Sequence, residues 1–448
     1  MTANPETVHS EPATSRLDPK ETDVGSVFVS NYPPYSFWNE AATQTAFDTL
    51  AVPPAEENTL GLYLHIPFCR KRCKFCYFRV YTDRNAEQIE TYLDALAREV
   101  ELYSQRPAVA GRPLKFVYFG GGTPSYISVK HLNKLVTRLK NAISWKGAEE
   151  VTFECEPGTL SRSKVESLRE NGMTRLSLGI ENFNDFILEE NGRAHLSKEI
   201  FQVLPWIKAL DFDQLNIDLI AGMVGETWQT WKDNVKKTID VDPDSVTIYQ
   251  MELPYNTVYT KALQEGDGLH VADWQTKRDW HQYAFEELEA VGYKLSSAYT
   301  MVRKEKECRF VYRDSVWRGT DMLGTGVAAF GHMQNVHLQN APAWSDYLTP
   351  LQSDRLPVTR AFAVNKEERL VREMILQLKL GRIETKYFRD KFDVDIISVF
   401  SAGFSKLEAE GMLTFDPQAI ELTQQGLLRV DQLLPEFYAD QYRNSRYT

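Results

Sequence analysis

Residues 61–76 read GLYLHIPFCRKRCKFC, and this stretch decides the fold. Its first half, Gly61–Phe68, is an apolar run of the length of a buried strand. Its second half places Cys69, Cys73 and Cys76 at C-x3-C-x2-C spacing. A four-iron cubane takes one thiolate per iron, so three close cysteines without a fourth leave one iron open to an external ligand. An open iron on a low-potential cluster can bind a molecule and pass it one electron. Two blander readings compete, a zinc knuckle and three unrelated buried thiols. Zinc needs a fourth ligand, usually from a second C-x2-C or an H-x3-H pair, and the sequence has neither. Ligand count therefore favours the cluster.

Working outward, apolar strand-like runs alternate with amphipathic helical patterns. The predicted strands are Leu62–Ile66, Phe116–Phe119, Val151–Cys155, Arg175–Leu178, Gln214–Leu219 and Ser245–Tyr249. Between them Ile89, Leu93, Leu96 and Val100 repeat at three- and four-residue spacing, as do Leu132, Leu135, Val136 and Leu139. Repeated βα units with apolar strands argue for a parallel sheet covered by helices. Such sheets carry their working residues at the C-terminal ends of the strands. A further helix is expected from Asp273 to about Val291, and Trp317–Phe330 (WRGTDMLGTGVAAF) is glycine-rich and apolar.

The flanks differ in texture. Residues 1–25 read as a disordered leader. Asn31–Trp38 (NYPPYSFW) belongs to an N-terminal arm over 26–60, expected to pack on the body, with a substrate-facing lid as the sharper alternative. From about residue 361 the pattern becomes helix, GRIETKYFRDKF, helix, then the hairpin-like GMLTFDPQAIELT. That is the order of a small winged-helix-like domain. Its interleaved acids favour a packing domain over a nucleic-acid reader.

Composition narrows the function classes. The 448 residues carry a formal charge of −11, against a general nucleic-acid footprint. No run of 18 apolar residues predicts a membrane span, and the polar N-terminus is not a secretory signal. Cys155 and Cys308 stand alone and read as reduced, partly buried thiols of a cytoplasmic protein.

The strand ends carry the candidate chemistry. Gly120-Gly121-Gly122-Thr123-Pro124 follows the second strand, where glycines let a ligand approach backbone N–H groups; alone, it is as well read as a tight turn. Glu154 ends the third strand and Glu181 the fourth, Arg193 follows in NGRAH, and Asp218 sits in the apolar run Asn216–Ile220. A carboxylate in such a run needs a ligand or a fixed partner. Arg193 could supply a carboxylate fork. His65, in the first strand, reads as a satisfied core residue or as a group touching substrate. His332 and His337 are assigned nothing. Arg70, Lys71, Arg72 and Lys74 form either a solvated face or a docking surface for an acidic electron donor.

These residues resemble the radical SAM superfamily and, within it, the oxygen-independent coproporphyrinogen III oxidase family. YLHIPFC, GGGTPSY, FECEPGT, RLSLGIENFN, NGRAH, NIDLIAG and DMLGTGVAAF stand in that family's order. The resemblance implies a [4Fe-4S] cluster on Cys69, Cys73 and Cys76, and two molecules of S-adenosylmethionine (SAM), one of them cleaved to a 5′-deoxyadenosyl radical. Tyr63, Gly121 and Glu154 would contact the cluster-bound SAM. Phe75, Cys76, Tyr77, Gly122, Thr123, Glu181, Arg193, Asp218, Met251 and Phe330 would lie around the second. His65 and Glu181 are the candidates for a catalytic role. The chain departs from the family at Phe78, where decarboxylating oxidases carry a further cysteine, at the bulky Tyr77, and at Glu181, where a glutamine is expected. Related branches include class C methylases and haem chaperones.

The expected fold is α/β, a partial (β/α)6 parallel barrel over 61–300. An N-terminal arm precedes it, a glycine-rich connecting segment spans 301–360, and a small helical, winged-helix-like domain covers 361–448. The expected activity is oxidative decarboxylation of tetrapyrrole propionates, with class C methyl or methylene transfer to an aromatic or conjugated substrate, or haem carriage, as alternatives. The expected partners are a small-molecule substrate and a flavodoxin- or ferredoxin-type donor, and the expected state is a monomer.

Overall fold

The computed structural model describes residues 28–55, 58–254, 257–265 and 269–443. The leader expected over 1–25 lies outside the described residues.

Twelve strands form one sheet: β1 (Leu60–Ile66), β2 (Leu114–Gly121), β3 (Glu150–Cys155), β4 (Arg175–Glu181), β5 (Gln214–Ala221), β6 (Ser245–Gln250), β7 (Tyr293–Ser297), β8 (Thr300–Arg303), β9 (Asp321–Thr325), β10 (Phe330–Met333), β11 (Val336–Asn340) and β12 (Val358–Ala363). Their order is β12-β11-β10-β9-β1-β2-β3-β4-β5-β6-β8-β7. From β9 to β6 every pairing is parallel. Antiparallel strands extend both edges. All six strands expected from the sequence are present.

A seventh parallel strand, β9, joins them from the stretch read as a connector. Leu60 pairs with Asp321 and Leu64 with Thr325, so DMLGT is structural sheet beside the cysteine-bearing strand. Its glycine permits this: a Cβ on Gly324 would fall 1.8 Å from the carbonyl oxygen of Phe330 on the neighbouring strand.

The helices cover the sheet as their periodicity dictates. Helix Ala86–Ser104 starts at a capping box between Asn85 and Gln88, and buries Ile89, Leu93, Leu96 and Val100. Helix Val129–Ala142 is capped by Ser128 and buries Leu132, Leu135, Val136 and Leu139. Each such side chain contributes about 1.5–3 kcal/mol on leaving water. On the sheet, Leu60, Leu62, Leu64 and Ile66 of β1 are fully buried.

The arm packs on the antiparallel edge. Trp38 stacks on His337 at 4.8 Å between ring centroids, and Arg360 donates to the carbonyls of Tyr35 and Trp38. The arm also holds a helix, Thr43–Leu50, that the sequence reading left out. The C-terminal region is helical, with Lys366–Leu378, Thr385–Phe392 and Ser401–Ala409 beside a small sheet. In that sheet β13 (Arg382–Glu384) and β14 (Leu413–Phe415) flank β15 (Ala419–Leu422). Among the described residues no helix is long and apolar enough to cross a membrane.

Candidate active site

A cavity of about 530 Å³ runs along the inner face of the parallel strands. That is within the usual range for small-molecule sites. Side chains alternate across a strand, so every second residue faces this lumen. Tyr118 of β2, Glu154 of β3, Arg175, Ser177 and Gly179 of β4, Asp218 of β5, and Thr247 and Tyr249 of β6 all line it.

Cys69, Cys73 and Cys76 line the cavity beyond the C-terminal end of β1. Their loop is held by its backbone: Cys69 N–H donates to Tyr81 O at 3.1 Å, Lys74 N–H to Asn191 O at 3.1 Å, and Cys76 N–H to Cys73 O at 3.1 Å. Thr123 Oγ1 donates to Cys69 Sγ at 3.4 Å, and Arg193 Nη1 to Cys73 Sγ at 3.3 Å. Three soft thiols with hydrogen-bond donors beside them suit a thiolate-ligated cluster. Of the other cysteines, Cys155 is buried with Sγ toward Phe153 O, and Cys308 bonds Asp244 O.

The glycine turn meets this loop closely. Gly122 N–H donates to Ile66 O at 2.9 Å, and a Cβ on Gly122 would sit 2.9–3.0 Å from the backbone of Ile66–Phe68. Gly121 has φ +115° and lies against the His65 ring, where a Cβ would be 2.5 Å from Nδ1.

Glu154, Glu181 and Asp218 share the lumen, whose wall also carries Glu156 and Glu252. Glu154 accepts from Tyr118 Oη at 2.8 Å and from Gly121 N–H at 3.1 Å. Burial raises its pKa to about 7, those two hydrogen bonds oppose the rise, and the Asp218 charge adds to it. Glu181 is also raised to about 7 by burial, against the pull of Arg193, whose Nη2 lies 3.7 Å away. Glu181 has φ +65°, and the β4–β5 register shifts between Gly179 and Glu181. Glu181 thus continues the lumen-facing series of Arg175, Ser177 and Gly179, and its left-handed backbone at the bulge carries a cost in strain. Asp218 accepts from Ser177 Oγ at 2.7 Å and from Asn216 Nδ2 at 2.9 Å. Asn216 is itself fixed by Ser245 and Thr247, so Asp218 has the fixed partners its apolar strand requires.

Of the residues singled out in the sequence, Phe75, Tyr77, Gly121, Gly122, Thr123, Glu154, Glu181, Arg193, Asp218 and Met251 line the cavity with the three cysteines. Tyr63, His65 and Phe330 are not brought to its wall. Tyr63 stacks behind Tyr118 at 5.9 Å. His65 is covered by the Gly121 turn, with Nε2 3.4 Å from Arg79 O, and burial lowers its pKa to about 4. Phe330 packs edge-on against Trp38 of the arm.

Sequence reading missed the rest of the wall: Phe28 and Ser30 of the arm, Tyr118, Arg175, Tyr249, Glu252, Tyr299, and Phe310, Tyr312, Arg313 and Trp317. The signal for the strand residues was present as alternation, since Asn216 and Asp218 interrupt Leu215, Ile217 and Leu219 at period two.

Comparison with known proteins agrees with this geometry. The family model described as the radical SAM superfamily matches residues 63–237, and that described as the HemN C-terminal domain matches residues 364–429. The chain carries a radical SAM domain and a HemN C-terminal domain; the cofactors of the radical SAM superfamily are a [4Fe-4S] cluster and SAM. Its relatives include the oxygen-independent coproporphyrinogen III oxidase of Synechocystis, 26% identical over 91% of each chain. They also include the heme chaperone HemW of Bacillus subtilis, 26% identical over 84% of this chain and 99% of the relative. The solved structure of coproporphyrinogen III oxidase (HemN) from Escherichia coli superposes with a TM-score of 0.79 at 24% identity, covering 92% of this chain and 96% of that one, and shows the same fold.

A prediction follows for the carboxyl groups. SAM carries an ammonium and a sulfonium, and Glu154 and Glu181 are neutral below about pH 7. With these carboxyls facing SAM, as the resemblance implies, SAM affinity should tighten as pH rises through 7, with protons released on binding below it. Asp218→Asn keeps the shape and removes a charge, and should weaken binding by about 1.5–3 kcal/mol without unfolding the chain. Calorimetry in buffers of different ionisation enthalpy reads both. Unchanged affinity in Asp218→Asn and Arg193→Ala would remove these residues from the SAM site.

Proposed function

We propose that this chain is a radical SAM enzyme that takes a hydrogen atom from a substrate in the lumen, and that its reaction is oxidative decarboxylation of tetrapyrrole propionates. The observation that carries this reading is that three cysteines and several cations open on one cavity: Arg70, Lys71 and Arg72 beside the thiols, Arg193 among the carboxyls, and Arg175 and Arg313 further in. Anionic side groups of a substrate need such cations.

Cys69, Cys73 and Cys76 would hold the cluster. Glu154, Glu181 and Asp218 would face the cationic parts of SAM, one molecule or two. When bound, the two cofactors supply one-electron cleavage of SAM and hence a hydrogen-abstracting radical. The rings of Tyr118, Tyr249, Tyr299 and Tyr312 give the lumen an aromatic wall. Arg70, Lys71 and Arg72 are exposed and suit an acidic flavodoxin- or ferredoxin-type donor reaching a monomeric enzyme in the cytoplasm.

A second reading has its own support. Tyr77 and Phe78 pack ring on ring at 4.6 Å beside the thiols, and Phe78 is half exposed at the cavity wall. Such a pair suits stacking of a flat conjugated substrate, as class C methyl or methylene transfer would require.

The deciding experiment is anaerobic reconstitution followed by turnover with coproporphyrinogen III and SAM deuterated on its methyl group. The expected result is loss of two carboxyl groups as carbon dioxide with no deuterium in the product. Deuterium in product together with S-adenosylhomocysteine would replace the decarboxylase reading by methyl transfer. Stoichiometric haem capture with no SAM-derived product would replace both by a chaperone.

A further inference from the structure

The lumen has an inner end, opposite the cysteines, where the two innermost of its cations lie. Glu150 and Arg175 open β3 and β4, so they mark the N-terminal ends of the strands. Residues 310–317 close that end, and Phe310, Tyr312, Arg313, Val316 and Trp317 line the cavity there. Glu150 secures this plug by accepting the N–H groups of Val311 at 2.6 Å and Tyr312 at 3.3 Å.

Two guanidinium groups converge on the plug. Arg175 is 5% exposed, lies 3.9 Å from the centre of the Phe310 ring, and meets Glu150 Oε1 at 3.5 Å through Nη1. Arg313 lies 4.7 Å from the same ring. Its Nε donates to Asp314 at 2.8 Å and its Nη2 to Ser296 Oγ at 3.0 Å. Each keeps one buried nitrogen without a hydrogen-bond partner among the described residues, Nε of Arg175 and Nη1 of Arg313. Buried donors are nearly always satisfied; both nitrogens are covered in this structure, so an acceptor entering from the lumen would reach them by a small shift of side chains at the wall the two arginines line. One orphan could be a local accident. Two on arginines that share one ring and one cavity wall, beside the hydroxyls of Thr247, Thr300 and Ser297, describe a site.

We propose that the inner end of the lumen is an anion subsite in which Arg175 and Arg313 together bind a carboxylate group of the size of a propionate. A planar carboxylate matches guanidinium donors in geometry and charge, which water does not. The assignment to a substrate side chain rests on the decarboxylase reading; the subsite itself does not.

The test uses the full reconstituted chain and propionate labelled with carbon-13 at the carboxyl carbon. Saturable broadening of its resonance is expected. Propionamide, of the same shape but neutral, should bind at least about tenfold more weakly, as loss of a charge-assisted pair implies. Arg313→Gln should weaken propionate by a similar factor and leave SAM affinity unchanged. Arg175→Lys keeps the charge but loses the fork and should also weaken it. Near-UV circular dichroism confirms the fold of each variant; where a variant does not fold, the propionamide comparison on the unmodified chain decides. Absence of saturable broadening, or equal binding of propionamide, would overturn the subsite and leave both arginines as staples of the plug. Propionate binding together with deuterium in the turnover product would keep the subsite and discard the decarboxylase.

Discussion

Cys69→Ala should give a colourless protein that cleaves no SAM, while Cys155→Ala and Cys308→Ala keep both the brown colour and the cleavage. The unmodified chain should hold about four irons after anaerobic reconstitution, as a cubane requires. Cys69 Sγ has the Thr123 hydroxyl beside it at the cavity wall, where a cluster would sit. Two remaining thiolates cannot replace its iron–sulfur bond, and Cys155, which also touches the cavity, has its Sγ turned to the carbonyl of Phe153. Cys155 is 4% exposed within the core, and Cys308 pairs with the backbone of Asp244 beyond the strand starts. Iron and sulfide assays, visible absorbance and chromatography of 5′-deoxyadenosine read the outcome together. A zinc-loaded, colourless protein of full activity would end the cluster assignment, as would loss of iron in Cys155→Ala with retention in Cys69→Ala.

The parallel half of the sheet was legible because its signals are local. Apolar runs of strand length, helical periodicity and a cysteine loop each lie within a few residues. Ten of the residues assigned to SAM line the same cavity as the three thiols for the same reason, since strand ends are short and the motifs sit on them. What could not be read is long-range. Glu150 lies just outside the strand expected from Val151 and drew no reading, yet its carboxylate binds the backbone of Val311, 161 residues on. Nothing near Phe310–Trp317 in sequence shows that it plugs the lumen. The same holds for β9, whose pairing with β1 joins Thr325 to Leu64.

Three of the residues singled out in the sequence stand off the cavity wall for local reasons. His65 was considered for chemistry because it stands four residues before Cys69. On β1 it shares a face with Tyr63, and the Gly121 turn covers it. Phe330 was placed by its motif, but its ring faces the arm, whose Trp38 is 2% exposed. The arm in turn does more than pack. Val29 N–H and Lys379 Nζ both meet Asp431, and Phe28 N–H donates to Glu252 at 2.6 Å, so the arm, the barrel and the C-terminal region join at the cavity wall. The NYPPYSFW segment is anchored at the sheet edge, and the cavity-facing residues lie just before it.

Glu99→Ala should cost the fold several kcal/mol, whereas Glu99→Gln should leave it stable and remove a pH dependence. Glu99 is fully buried on helix Ala86–Ser104. Its carboxyl accepts from Gly326 N–H at 2.8 Å, Asn340 Nδ2 at 2.6 Å and Tyr347 Oη at 2.7 Å. Alanine strands three buried donors at about 1–3 kcal/mol each. The network matters to the site because it holds the turn after β9 against the end of β1: Tyr92 Oη donates to His65 O and accepts from Val327 N–H. The cysteine loop starts three residues beyond Ile66. Burial raises the Glu99 pKa from 4.5 to about 7, against the pull of its three donors. Below pH 4.5 the group is protonated folded or unfolded. Between 4.5 and 7 the unfolded chain ionises it while the folded chain does not, so stability falls as pH rises through that window, by about 3 kcal/mol from this group. Above 7 its contribution is constant. Glutamine fills the same space without titrating; with its oxygen in place of Oε2 it still accepts from Gly326 N–H and Tyr347 Oη, and the Asn340 amide turns so that its oxygen accepts from the new NH2 group. The stability of the unmodified chain relative to Glu99→Gln should therefore decline from pH 4.5 to 7 and then level off, read by paired thermal or denaturant melts across pH. A difference that stays flat would mean that Glu99 ionises normally in the folded chain. Iron content after reconstitution should drop in Glu99→Ala as the melting temperature does, because the strand end that positions Cys69 is then no longer pinned.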